Sequence, residues 1–493
     1  MPDSPEFDVI IIGAGINGAG IARDAAMRGL KVLLLDKGDI ASGTSSASTR
    51  LIHGGLRYLE HFEFGLVRES LRERETLLRI APHLVKPLAI TIPIYKQSTR
   101  GPLTIRAGMI AYDLLSIGKS LPRHRMLSRA ETLAEWPGLN PEGLLGSAVY
   151  FDSQVEFAER LVVENALAAR DRGAEVVTYA PVTKLVADGE VLRGVEFVSD
   201  GETYVARASV FINAAGPWVD HLLERAPVES PRLIGGTKGS HIVVPAFPGA
   251  SKNAIYLEAQ SDRRPFFIIP WNGNYLIGTT DVRFEDDPDK VRSEFWEIDY
   301  LLAETNRAFP GARLTRDQIL FTYSGVRPLP WTRNEDEQSI TRRHFIREHP
   351  KLKNLLSIVG GKLTTYRSLA VECVDLVFRK LGRQSPACLT AQEVLKSTPT
   401  RELTEAVVFS FEHELAKTLA DCFLRRTMRG LNADLGLGDL EAAAEIGMRL
   451  LGWSNERAKC EIEHYKREMW PRICGIHDIN PLTLNSDSRA KRF

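Results

Sequence analysis

The chain has 493 residues, 44% hydrophobic and 26% charged, proportions that exclude a disordered, collagen-like or disulfide-scaffold protein and fit about three globular domains. Lys+Arg and Asp+Glu stand at 63 each, so no whole-molecule attraction to nucleic acid or to an acidic membrane is expected, only local patches. Residues 1–6 carry no signal-peptide pattern, no run of 18 uncharged apolar residues could span a bilayer, and the five cysteines (Cys373, Cys388, Cys422, Cys460, Cys474) read as reduced thiols without metal or redox spacing. A protein kept in the cytoplasm, or on its membrane face, is expected.

Asp8 to Ile12 reads as a buried strand running into Gly13-Ala-Gly15-Ile-Asn17-Gly18 and a helix-forming stretch from Ala19 to Arg28, which Gly29 stops. Lys31 to Leu35 reads as a second strand closed by Asp36, 18 residues after the third glycine. A dinucleotide needs this pattern. Gly13 permits the tight turn, Gly15 lets the backbone approach a pyrophosphate, and Gly18 lets helix and strand pack closely. The helix N-terminus stabilises phosphate charge, and Asp36 accepts from a ribose hydroxyl.

Ala41 to Arg50 then offers the hydroxyls of Thr44, Ser45, Ser46 and Ser48 to phosphates and a ring system, although an ordinary polar loop would look similar. The pair Gly54-Gly55 follows, flanked by His53, Arg57 and Tyr58, and helical periodicity runs from Phe64 to Ile80. Between Lys96 and Arg129 seven Lys/Arg face one acid, Asp113, while Leu103, Ala107, Ile110, Leu114 and Ile117 recur at helical spacing. Such a segment is either a membrane-surface helix or a helix whose stripe faces the core and whose basic residues are solvated.

A helix over residues 155–173 and a strand over Glu175–Tyr179 supply a third strand of the dinucleotide fold, and Arg207 to Ile212 is another, ending in Asn213-Ala-Ala215-Gly216. Residues 233–345 read mainly as strands bounded by Gly, Pro and Asn, an antiparallel sheet. The chain returns through Leu355–Val359 to Gly360-Gly361, with a helix beginning near Thr365. A breaker-rich linker, about residues 382–400, precedes one sustained helical stripe from Leu403 to Cys422 and further helices over Leu440–Leu451 and Asn455–Met469.

The stretch from Gly13 to Leu66, with its Ser45-Ser-Ala-Ser-Thr-Arg-Leu-Ile-His-Gly-Gly-Leu-Arg-Tyr58 core, resembles the FAD-dependent glycerol-3-phosphate dehydrogenases of the aerobic, membrane-associated, quinone-linked type. The resemblance continues through Asn213–Trp218, Lys238–Pro245, Ile277–Asp281, Tyr323–Pro328, Ile340–Arg342, Gly360–Tyr366 and Asp421–Thr427. It implies an α/β fold in which a FAD-binding Rossmann-like domain of the glutathione-reductase type is interleaved with an antiparallel-sheet substrate domain, plus a C-terminal all-α domain. The FAD-binding parts would be 1–80, 151–232 and 346–382. A substrate or cap segment would occupy 81–150, the antiparallel domain 233–345 and the helical domain 383–493. FAD would meet Gly13, Gly15, Asn17, Gly18, Asp36 and Lys37, then Thr44, Ser45, Ser46, Ser48, His53, Gly54 and Gly55. Val182 would lie near the adenine, and Ala215, Gly216, Gly361, Lys362, Leu363 and Thr364 would complete the site.

The implied reaction is oxidation of sn-glycerol 3-phosphate at C2 to dihydroxyacetone phosphate. A phosphate needs cations that do not titrate, and the guanidiniums of Arg57, Arg327 and Arg342 suit it, with Tyr58 and Lys362 alongside; Arg343 is expected to face solvent. Hydride loss from C2 requires an acceptor for the hydroxyl proton. His53 is preferred, His241 is the alternative, and Arg327 assists catalysis. Lys362 would stabilise the reduced flavin or touch substrate. No metal-ligand spacing is present. The implied electron acceptor is ubiquinone or menaquinone at the cytoplasmic membrane surface. An oxygen-using glycerol-3-phosphate oxidase, an amine or amino-acid oxidase and a flavin-binding sensor without turnover stay open. So does the role of the C-terminal helices, whether homodimer contact, membrane contact or plain stabilisation.

Overall fold

A computed structural model of the chain describes residues 6–59, 63–333, 340–397 and 401–473. The strand Phe7–Ile12 is apolar on both faces, with Val9, Ile10 and Ile11 fully buried, because helices cover one face of its sheet while the strands Val182–Asp188 and Val191–Ser199, with the short helix Val219–Leu223, cover the other. It pairs in parallel with Val32–Leu35 on one side and Glu202–Asn213 on the other. Glu175–Val177 and Leu355–Val359 extend the parallel set, and Phe345–Glu348 closes one edge antiparallel. The helix Ile16–Met27 packs on Ala158–Arg170 and Tyr366–Lys380. The strand ends at Gly13, Asp36, Ala180, Ala214 and Gly360 gather at one rim, the place where an open α/β sheet binds ligands.

A second sheet of ten strands stands over that rim. Its middle is antiparallel, with Thr237–Val244 between Asn274–Gly278 and Phe321–Arg327. The long strands Val85–Tyr95, from the 81–150 segment, and Leu144–Val155, which crosses its expected boundary at 150, belong to this sheet and join it through the parallel pairing of Ala254–Glu258 with Val85–Tyr95. The underside is stitched to the hydroxyl-rich turn Thr44–Ala47. Thr44 Oγ1 donates to the Val326 carbonyl at 2.7 Å, and the Tyr323 hydroxyl donates to the Ser48 carbonyl at 3.0 Å. Residues 233–345 also contain a helix, Phe295–Ala308, where only strands were expected to dominate. Its Ile298, Leu301 and Leu302 pack on Ile242, Val244, Ile268 and Ile277 of the sheet's other face.

The helix Pro102–Leu115 turns Met109 and Tyr112 inward and leaves its aliphatic stripe in solvent. Leu103 is 82% exposed, Leu114 62% and Ile117 84%. The core-facing reading of this stripe is therefore not the one that forms. Its one acid, Asp113, is taken up by Lys119 and by His124 at 2.8 Å. Among the described residues no helix is long and apolar enough to cross a membrane.

The C-terminal stripe from Leu403 to Cys422 is not one helix. The helix Leu403–His413 stops, Leu415 adopts a positive φ of 60°, and a new turn, Leu419–Asp421, begins at Thr418. Thr418 and Asp421 cap each other reciprocally there, and this local bonding competes with helix continuation. The turn then widens into a π-helix, Cys422–Arg426. Leu440–Leu450 and Asn455–Met469 are helical as the periodicity indicates.

Candidate dinucleotide and substrate site

At the rim of the parallel sheet lies a cavity of about 780 Å³. Of the residues read as nucleotide contacts, Gly13, Gly15, Asn17, Asp36, Lys37, Thr44, Ser45 and Ser48 line it, and so do Val182, Ala215, Gly216, Gly361, Lys362 and Leu363. Asp36 is held by backbone N–H groups of Ala14 at 2.5 Å and Gly38 at 2.8 Å, and burial raises its pKa. Gly13, at φ 110°, has no room for a side chain, because a Cβ would stand 2.5 Å from the Ala214 carbonyl oxygen. Two buried polar atoms of lining residues, Asn17 Oδ1 and Trp218 Nε1, have no partner. Buried polar atoms are rarely left so, and an extended polar ligand with phosphate and hydroxyl groups fits this lining.

Other expected contacts sit elsewhere. Gly18 packs on the turn, where a Cβ would overlap the Gly13 carbonyl oxygen, and Ser46 bonds back to the Gly43 carbonyl at 2.8 Å. Gly54 lies against Tyr112 and Leu71, and Thr364 Oγ1 accepts from the His53 N–H at 3.2 Å. None of Gly18, Ser46, His53, Gly54, Gly55 or Thr364 is in the cavity lining. Lys37 reaches Asp289 at 2.6 Å and lies 4.1 Å over the Trp218 ring, so its charge is engaged at the cavity mouth. Trp218, Ala180 and Asp289 also line the cavity without having been singled out from the sequence; Trp218 stood in a motif block, whereas the spacing gave no signal for Asp289.

The arginines of the second sheet converge on one carboxylate. Arg327 Nη1 donates to Asp281 Oδ1 at 2.9 Å, and Arg342 Nη2 donates to Oδ2 at 2.9 Å. Burial pushes the Asp281 carboxyl up, but the two guanidiniums prevail and hold it below the ordinary carboxylate range. Two cations on one anion leave a net charge of about +1 at neutral pH. Arg327 also bonds Thr279 Oγ1 at 2.9 Å, while Arg342 Nη1 is buried without a partner. Gly239 is glycine for a spatial reason, since a Cβ there would meet the Arg327 guanidinium at 2.1 Å. Arg343 is exposed. The Arg57 side chain lies outside what the structure describes. Lys362 sits 4.6 Å over the Tyr58 ring and donates to Ser70 Oγ at 2.7 Å; burial lowers its pKa to about 8.

Both histidines are neutral at pH 7. Burial lowers His53 to about 4, with Lys362 adding to the effect and Asp152 opposing it. The loop that carries His53 is anchored from below. The Gly54 N–H donates to the Tyr112 hydroxyl at 2.9 Å and to Asp152 Oδ1 at 3.3 Å, and buried Asp152 also pairs with Arg74 at 2.7 Å. His241 is buried and stacked on Tyr323 at 4.9 Å, with Nε2 bonded to Thr49 Oγ1 at 3.0 Å and Nδ1 unpaired. Burial, then Arg327 and Arg50, lower it to about 3. Sequence reasoning assigned no role to Asp281, Asp152 or Tyr112. Asp281 stood in a motif block, but the other two carried no signal.

Residues 8–367 match the FAD dependent oxidoreductase family. A glycerol-3-phosphate dehydrogenase of Synechocystis sp. is 44% identical, the alignment covering 94% of this chain and 96% of that protein. The aerobic glycerol-3-phosphate dehydrogenase of Staphylococcus haemolyticus is 38% identical over 77% of this chain and 68% of its own length. Among solved structures, the glycerol-3-phosphate dehydrogenase of Bacillus halodurans complexed with FAD superposes with a TM-score of 0.77 at 28% identity, covering 97% of each chain.

Proposed function

Since the chain belongs to the FAD-dependent oxidoreductase family and, within it, to the glycerol-3-phosphate dehydrogenases, we propose that it oxidises sn-glycerol 3-phosphate to dihydroxyacetone phosphate and passes the electrons to a quinone in the membrane. The observation that carries the reading is the pair of guanidiniums sharing Asp281. A carboxylate substrate asks for one arginine fork, whereas a phosphate near −2 is matched by two cations, of which Arg342 keeps an unpaired donor at Nη1. FAD, held in the cavity beside Asp36, supplies the hydride acceptor. Arg327 and Arg342 bind the phosphate and so orient C2. His53, kept neutral by burial, takes the C2 hydroxyl proton on its ring nitrogen. Lys362, positive below about pH 8, offsets negative charge accumulating beside it during the reaction. His241 is the reserve acceptor.

Membrane contact is proposed for the helix Pro102–Leu115 and the turn after it. The outward Leu103, Ile110, Leu114 and Ile117 enter the headgroup boundary, and the basic residues around them face anionic lipid. Each basic residue near such a surface contributes ~1 kcal/mol. The electron acceptor is tested by reducing the protein anaerobically with substrate and then offering ubiquinone in vesicles or air. Fast reoxidation by quinone and slow reoxidation by air support the proposal; the reverse order makes it an oxidase.

A further inference from the structure

The helical region after residue 382 lies beyond the stretch matched to the oxidoreductase family, and the chemistry above gives it no task. It is nevertheless joined to the cofactor cavity by buried charge. The π-helix Cys422–Arg426 presents two consecutive arginines, and both reach Asp39. Arg425 Nε donates to Oδ2 at 2.6 Å, and Arg426 donates through Nη1 at 2.9 Å and Nη2 at 2.7 Å. The Asp39 and Arg426 side chains are fully buried. Asp39 belongs to the turn that follows Asp36, and in that turn the Gly38 N–H fixes the Asp36 carboxylate at 2.8 Å.

A second arm reaches the end of the neighbouring strand, Glu175–Val177. Asp421 Oδ1 accepts from Arg425 Nη2 at 2.7 Å and from the Tyr179 hydroxyl at 2.6 Å. Tyr179 is held at a positive φ of 56°, and its N–H donates to the Gly38 carbonyl at 2.9 Å. The next residue, Ala180, donates its N–H to the Asp36 carbonyl at 2.7 Å and, with Val182, lines the cavity. One ion network in the C-terminal domain thus holds both backbone segments that flank Asp36.

Apolar contact would stabilise a domain interface as well as buried ions do, because each buried ion first loses its hydration; what buried pairs add is fixed geometry. π-helical turns, too, are concentrated at functional sites. We propose that the C-terminal helical domain is a clamp that retains FAD, with Arg425, Arg426 and Asp421 as positioning residues that hold the Asp36 turn and the Tyr179–Val182 edge against the adenosine half of the cofactor. The proposal rests on the FAD reading of the cavity and not on the identity of the substrate.

The test uses the full chain with Asp39→Asn and Tyr179→Phe. FAD dissociation is followed by the recovery of flavin fluorescence, and melting temperatures are taken with and without FAD. A clamp weakens FAD binding by about tenfold or more in Asp39→Asn and by roughly threefold in Tyr179→Phe. It also narrows the gap between loaded and FAD-free melting temperatures, because that gap follows ligand affinity. FAD release at the wild-type rate overturns the proposal, as does an equal drop of both melting temperatures, the mark of plain stabilisation. If Asp39→Asn does not fold, Tyr179→Phe decides alone. A wild-type chain with no affinity for FAD overturns the cofactor reading and the clamp with it.

Discussion

Replacing Arg342 by alanine removes the guanidinium whose Nη1 is buried and unpaired and whose Nη2 holds Asp281 at 2.9 Å. In the substrate complex that free donor is assigned to the phosphate. A hydrogen bond between two charged groups contributes ~1.5–3 kcal/mol, and the Asp281 cluster falls at the same time from a net charge of about +1 to about zero. The loss corresponds to a roughly 10- to 150-fold rise in KM. It should appear in KM far more than in the limiting rate, because the phosphate lies away from the reacting carbon and is bound equally before and during hydride transfer. The assay is anaerobic flavin reduction titrated with glycerol 3-phosphate. Arg342→Lys should recover part of the affinity, since it restores charge but not the planar fork. An unchanged KM, or a slowed limiting rate at an unchanged KM, would remove Arg342 from the phosphate site.

Three further outcomes are expected. The limiting rate of flavin reduction should stay level down to about pH 4, because His53 must be neutral to take a proton, and should decline above about pH 8 as Lys362 loses its charge; a break near the free-imidazole value of ~6.5 would contradict the His53 assignment, and an alkaline limb that survives Lys362→Gln would clear Lys362. Tyr112→Phe removes the hydroxyl that accepts from the Gly54 N–H and should slow flavin reduction by about threefold to tenfold, in line with ~1 kcal/mol for one hydrogen bond; wild-type reduction kinetics would make the Tyr112–Asp152 anchor irrelevant to His53. Leu114→Glu with Ile117→Glu should abolish co-sedimentation with phosphatidylserine-containing vesicles while leaving soluble flavin reduction intact, and retained sedimentation would move the membrane contact elsewhere.

Much of the dinucleotide half was legible because its determinants are local. Gly13, Gly15 and Asp36 lie within one βαβ unit, and their spacing alone demands a turn, a phosphate approach and an acid at a strand end. Orientation and long-range pairing were not legible. The period of Leu103, Ile110, Leu114 and Ile117 establishes a one-sided helix, but a period does not say which side meets the core. That was decided by Tyr112 and Met109, whose partners lie in other elements. Leu415 and Leu419 kept a helical repeat across a break, since Leu415 in a left-handed conformation still points its side chain inward. The Asp281 cluster joins residues 46 and 61 positions apart, and the strand Thr237–Val244 brings the first pair together by pairing Thr237 with Arg327 and Lys238 with Val282, next to Asp281. Lys37 was drawn to Asp289, which lies 252 residues away. No local pattern carries such a pairing.

This chain is expected to take a hydride from glycerol 3-phosphate because the two guanidiniums at Asp281 receive the phosphate. Anaerobic mixing of the FAD-loaded protein with glycerol 3-phosphate, and in parallel with glycerol, tests it directly. Rapid bleaching of the flavin by the phosphate ester and none by glycerol at equal concentration is the expected result. Equal bleaching by both, or bleaching by neither while an amino acid reduces the flavin, would contradict it.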